Sequence, residues 1–169
     1  DEFCSVHLKY RDLIECGETQ KRTKFANLPV ELETYSALRD LATHILDPVI
    51  EKYENFELTY GFGSAELVRQ MLPPKRVAPK LDQHAACEKN AAGQFICDRL
   101  GSACDFLIKG QDMRDVARWV FNNTPVDRLY FYGSDKSIHV SFSQTQKHQF
   151  VELIARDNKR RVPKIVRIP

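Results

Sequence analysis

The sequence predicts an α+β domain, and three observations carry that reading. Apolar residues recur at helical spacing through Tyr35, Leu38, Leu41, Ala42, Ile45, Leu46 and Val49. Short β-prone segments alternate with helical stretches: FELTY at 56–60, CDFLI at 104–108, RLYFY at 128–132 and SIHVSF at 137–142. The last two flank Gly133-Ser134-Asp135-Lys136, a hairpin signal that makes at least that pair antiparallel. At 169 residues, with 43% apolar residues and ten Phe, the chain is long enough for one domain with a real core.

From the N-terminus, residues 1–33 read as irregular, with one short helix or turn over Lys9–Cys16 closed by a left-handed Gly17. Asn27–Pro29 breaks the chain again. A helix follows, with Thr34 as N-cap and Pro48 kinking or interrupting it near Asp47. After the FELTY strand, Gly61-Phe62-Gly63-Ser64 forms a tight turn, and Ser64 caps a helix over Ala65–Leu72. Pro73, Pro74 and Pro79 mark a loop. Ala78–Gly101 is mostly loop, with a short helix from Asp82, and its length is itself a sign of function. Asp112 caps a helix that runs to Asn122 and buries Met113, Val116, Ala117 and Val120. Within SIHVSF, Ile138, Val140 and Phe142 take one face and Ser137, His139 and Ser141 the other. Phe150–Ile154 is open between helix and strand.

Composition limits the setting. No 18-residue apolar run exists, so no transmembrane helix is expected, and DEFCSVHLKYRDL has no apolar leader core. The five cysteines include no Cys-x-x-Cys pair, which argues against a zinc ribbon or a thioredoxin motif. An odd count favours a reducing compartment, and the expected location is cytoplasmic. Cys87, Cys97 and Cys104 are open between a Cys87–Cys97 disulfide, buried free thiols and a role beside a metal. The chain does not start with Met, so other domains of a longer polypeptide are among the expected partners. From Gln144 onward, Lys147, Arg156, Lys159, Arg160, Arg161, Lys164 and Arg167 face only Glu152 and Asp157. That segment is either a solvated tail or an edge for nucleic acid or another polyanion.

Three residues of metal-ligand type stand in structured surroundings: His84 in LDQHAACE, Asp105 in RLGSACDFLI and His139 in KSIHVSFS. Two imidazoles and a carboxylate would leave a tetrahedral zinc with one open position, the arrangement of catalytic rather than structural sites. Each has an ordinary alternative: a loop histidine, a strand-start cap and a hydrogen-bonded strand histidine.

Order and context join them. The parts run helix, strand, turn, His loop, Gly-x-x-x-Asp-Phe strand, helix, hairpin and Ile-His-Val-Ser. With YRDLIECGE, NLP, LRDLATHILDPV, the G-F-G-S turn, GSACDF and IHVSF, this order resembles the zinc D-Ala-D-Ala carboxypeptidase and dipeptidase family over residues 8–143. That family shares its fold with the Hedgehog signalling domain. The resemblance implies helices packed on a mainly antiparallel sheet that bears Zn2+, with His84, Asp105 and His139 as ligands. Residues 1–143 would form the peptidase-like zinc domain, and 144–169 a basic extension packed on it or trailing it.

Departures from the family pattern concern catalysis. Twenty residues separate His84 from Asp105, far more than the family's spacer, so ACEKNAAGQFICDRL reads as an insertion. Gly63 stands where the family carries an Arg in its strand-turn motif. No Glu lies between Tyr130 and Ser137, where the family places its catalytic Glu; Asp135 is the acid there. A general base is worth about 10²–10⁴-fold, and a clamp on a developing oxyanion about 10²–10³-fold. Glu88, four residues after His84, is the expected replacement base, with Asp135 second. Arg99 or Arg76 would replace the cation. Tyr60, Phe62, Ser64, Tyr130, Tyr132 and Ser141 complete the expected substrate contacts, though the aromatic residues could equally be core. The expected function is hydrolysis of a small peptide or amide. The alternative is an inactive, zinc-braced binding module for a partner such as a polyanion.

Overall fold

In the computed structural model, residues 2–71, 82–155 and 161–168 are described. The chain forms an α+β fold with a six-stranded sheet. Its helices are α1 (Tyr10–Ile14), α2 (Glu18–Thr23), α3 (Leu32–Leu41), α4 (Asp47–Lys52), α5 (Ala65–Met71) and α6 (Met113–Asn123). Its strands are β1 (Phe56–Tyr60), β2 (Ser102–Ile108), β3 (Arg128–Phe131), β4 (Ile138–Phe142), β5 (Gln149–Ala155) and β6 (Arg161–Val166), in the spatial order β1-β2-β4-β3-β5-β6. All neighbours are antiparallel except β3 and β5. Among the described residues, no helix is long and apolar enough to cross a membrane.

Strand alternation sorts the sheet into two faces. Cys104, Phe106, Ile108, Leu129, Phe131, Ile138, Val140, Phe142 and Phe150 are buried in one core with the apolar sides of α3, α4 and α6. Asp105, His139 and Tyr130 are consecutive cross-strand partners, so they share the opposite face. Strand β4 is nevertheless buried along its whole length, and the 82–101 segment packs on its polar side; the buried Gln83 of that segment bonds Asp127 beside β3.

Several local expectations change. Gly17 does not cap α1 in the left-handed region; its φ of 96° and ψ of 146° introduce α2, a helix the polar ETQKRT stretch did not signal. The N-cap of this helix is Glu31 rather than Thr34, three residues earlier, so the helix starts at Leu32 and Thr34 lies buried inside its first turn. The carboxylate that serves this helix end comes from Glu88. It accepts from the Val30 and Glu31 N–H groups and from the Thr34 hydroxyl at 2.8–3.1 Å. Pro48 does not stop the helix. A π-helical turn over Ala42–Leu46 precedes it, widening the backbone where proline removes a hydrogen bond and crowds the preceding turn. Ser64 does cap α5, accepting from Leu67 N–H at 3.1 Å. Pro73, Pro74, Arg76 and Pro79 lie outside the described residues. Phe150–Ile154 is strand, within β5, and Arg114 of α6 reaches Glu152 at 2.7 Å, tying β5 to the helical layer.

The Glu88 clamp gives a first prediction. Glu88→Ala leaves three buried or half-buried donors without their carboxylate and should lower unfolding stability by about 2–4 kcal/mol in urea. Metal bound at saturation should be unchanged.

Candidate metal centre

Each member of the triad sits on an element with a reason for its position. Asp105 and His139 are directly opposite on the antiparallel pair β2–β4. His84 arrives from a single 3₁₀ turn, Gln83–Ala85, whose N-cap Asp82 accepts from the His84 N–H at 2.9 Å. Three ligand atoms converge. His139 Nδ1 lies 2.9 Å from Asp105 Oδ1 and 3.1 Å from His84 Nε2, and His84 Nε2 lies 3.4 Å from Asp105 Oδ1. A tetrahedral zinc with bonds of about 2.0–2.1 Å holds its ligand atoms about 3.3 Å apart, so these three match one face of such a tetrahedron.

Protonation points the same way. His84 Nδ1 is 2.8 Å from the Gly61 carbonyl oxygen, which can only accept. The Nδ1 therefore carries the proton, and in the neutral ring Nε2 turns a lone pair toward Asp105 Oδ1. Both acceptors face His139 Nδ1, so either a proton on that nitrogen or a metal among the three atoms would satisfy them. Burial of the His84 ring opposes its charged form, but the hydrogen bond and charge of Asp105 outweigh it, and the His84 pKa is raised. For His139, burial dominates, helped by the His84 charge, and its pKa is lowered. The Asp105 carboxyl also pays a burial penalty, yet the two imidazoles hold it well below the usual carboxylate range.

The ligands open into a cleft of about 300 Å³ lined also by Asp82, Gln83, Arg99, Tyr130 and Tyr132. The Tyr130 ring stands edge-on to His139, with centroids 5.3 Å apart. Burial, and then the charge of Asp105, raises the Tyr132 pKa, so that phenol remains a hydrogen-bond donor throughout the neutral range. His84 is flanked by Tyr60, centroid to centroid 4.5 Å.

No protein-family model matches the chain, and no curated protein or solved structure matches it either. The chemistry of the cleft therefore rests on its own residues.

Of the residues singled out from sequence, the structure brings His84, Asp105, His139, Arg99, Tyr130 and Tyr132 together. Others stand elsewhere. The Glu88 oxygens are taken up at the start of α3, and Glu88 does not line the cleft. Asp135 sits in the exposed β3–β4 turn, 3.1 Å from Lys136 Nζ. Phe62 is fully buried in the core. Ser64 is a helix cap, and the buried Ser141 hydroxyl bonds the Arg128 backbone. All five cysteines are buried free thiols. In the basic segment, Lys164 and Arg167 are exposed, while Arg156, Lys159 and Arg160 lie outside the described residues.

Asp82 and Gln83 were not singled out as cleft residues. Asp82 reads in sequence as a helix start, which it is, and only the fold turns that cap toward the ligands. Gly63 has a local reason. A side chain there would run into the Tyr60 hydroxyl, so Tyr60 fills the space beside it.

Proposed function

We propose that this protein is a zinc-dependent hydrolase-like domain of the Hedgehog/DD-peptidase fold, acting on a peptide or amide at His84, Asp105 and His139. The observation that carries the reading is the convergence of three ligand atoms at zinc spacing on the floor of an open cleft. Zinc held there would supply Lewis acidity at its open position. Asp82 is the non-ligand carboxylate in the cleft and takes the part of proton acceptor. The Tyr132 phenol and Arg99 face the same space and supply a neutral donor and a cation for a developing oxyanion.

The test is hydrolysis of a broad peptide and amide library by zinc-loaded protein. Wild type should turn over part of the library, and Asp82→Asn should retain one zinc while losing about 10²-fold in kcat/KM. Wild type that holds full zinc and stays inert throughout would sink the hydrolase reading.

Two observations favour a second reading, a zinc-braced binding module. Glu88 is committed to α3, and the Gly63 position is closed by Tyr60. The metal would then hold the 82–101 segment against the sheet, and the exposed Lys164 and Arg167 would meet a polyanion such as nucleic acid. Such binding should weaken steeply with salt.

A further inference from the structure

The metal-bearing face of the sheet continues outward beyond the ligands, and the strand register fixes which residues it carries. Asp105 pairs with His139, His139 with Tyr130, Tyr130 with Val151 and Val151 with Ile165. Cross-strand partners share a face, so these five form one row across β2, β4, β3, β5 and β6. The row lies on the side away from the helical core. Its strand neighbours point the other way: Leu129, Phe131 and Phe150 are in the core, and Glu152 meets Arg114 of α6. One step further along β5 and β6, Leu153 pairs with Pro163 on the same face as the row.

Past the ligands this row changes character from polar to apolar. Tyr130 is half-buried and lines the metal cleft. Val151 is buried, and Ile165 at the outer end is 60% exposed. Pro163 removes one backbone donor from β6, which blunts the outer edge of the sheet against pairing with another strand. What this end of the sheet offers is therefore its face. Neighbouring strands lie about 4.8 Å apart, so Ile165, three strand steps from His139, is about 14 Å away from it. An extended chain advances about 3.3–3.6 Å per residue, so a chain anchored at the metal reaches Ile165 with about its fourth residue.

We propose that this row is the specificity subsite of the metal centre, where an apolar chain of the substrate, peptidyl or acyl, runs from the amide at the metal over Tyr130 and Val151 to Ile165. The proposal rests on the hydrolase reading and adds the substrate class, an amide with an extended apolar portion. Continuity decides the occupant. Tyr130 belongs both to the cleft and to the row, so a chain that leaves the metal in this direction passes directly onto the apolar residues. Val151 and Ile165 lie two and three strands from the ligands and touch no reacting atom. They select among substrates through apolar contact and leave the chemical step to the cleft.

The experiment is calorimetric titration of the full chain, loaded with zinc, with hydroxamates, which bind the metal whether or not the protein hydrolyses anything. Acetohydroxamate reports the metal alone. Leu-Leu-Gly-Gly, Ser-Ser-Gly-Gly and octanoyl-glycine hydroxamates add a peptidyl apolar, a polar and an acyl chain of similar reach. At least one apolar probe should bind about tenfold more tightly than the serine probe, and the tighter of the two names the source of the chain. Ile165→Lys should bring that ratio close to one. Ile154→Lys should preserve it, because Ile154 is 38% exposed on the same two strands but pairs with Val162 on the opposite face. Equal affinity for all three chains, or a preference that survives Ile165→Lys, would overturn the proposal. Turnover of the amide library without any such preference would sink the subsite alone. A clear preference beside an inert library would sink hydrolysis and leave the row as the binding surface of the metal cleft. Failure to bind even acetohydroxamate would remove both.

Discussion

Asp105→Asn and His84→Ala should each lower zinc affinity by about 10²–10³-fold, read by competition with a chromophoric chelator. The magnitude follows from sharing the about 10–16 kcal/mol of a four-ligand zinc site among its ligands, about 2.5–4 kcal/mol each. Asp105→Asn is the sharper variant, because it keeps the side-chain volume between the imidazoles and removes only charge and one acceptor oxygen. The pH dependence gives an independent check. His84 carries a raised pKa, set by Asp105 against the opposing effect of burial. Zinc must displace that proton, so affinity should fall about tenfold per pH unit once the pH drops below the raised value, which lies above the ordinary imidazole pKa of about 6.5. Stability of the metal-free fold runs the other way. A raised folded-state pKa gives stabilisation that is complete below about 6.5 and fades as pH climbs through the raised value. The Asp105 carboxyl is lowered, so its contribution is lost only in strong acid. His139 is lowered as well and stays neutral above about 6.5, so only His84 acts in that range. Zinc affinity that is flat with pH, or unchanged in Asp105→Asn, would show that the metal is not held by this triad.

The legible parts of this fold are those written in local patterns. FELTY, the hairpin strands and the Asp112-capped helix all stand in the structure because alternation, turn residues and a cap agree at each of them. Asp105 and His139 were legible as candidate ligands because each lies on a strand, where side-chain direction is fixed by alternation. Their pairing was not, since the β2–β4 neighbour relation skips β3 in the chain. Glu88 shows the opposite limit. Its spacing from His84 suggested a shared helical face, but the helix is a single 3₁₀ turn, and the chain redirects at Ala86, where φ is 47°. Its carboxylate then satisfies a helix end more than fifty residues away in sequence. Long-range satisfaction of backbone donors leaves no periodic trace. The same holds for Asp82, whose capping role is local and whose place in the cleft is not.

Gly61→Ala should both destabilise the protein and weaken the metal site, although the residue has no side chain to offer either. Gly61 ends β1 in close contact with α1. A Cβ there would be driven into the Leu13 carbonyl oxygen and the Cys16 sulfur, and the backbone on both sides is held, with the Phe62 N–H donating to that same Leu13 carbonyl at 2.8 Å. Neither neighbour is the free end of a flexible chain, so relief requires β1 and α1 to separate, at a cost of about 2–4 kcal/mol. The carbonyl of Gly61 moves with its Cα. It is the acceptor that fixes the His84 tautomer and aims Nε2 at Asp105 and His139. Loss of an outer hydrogen bond of this kind typically costs about 10–100-fold in metal affinity. Gly93 is the matched control, since a Cβ there meets nothing and lies on the exposed part of the 82–101 segment, although its φ of 75° carries a strain of its own. Gly93→Ala should therefore leave zinc affinity as in wild type while Gly61→Ala lowers it under conditions where both remain folded. Equal affinities in the two variants would mean that the Gly61 carbonyl does not orient His84, and that the imidazole is held by the Asp82 cap and the packing of Tyr60 alone.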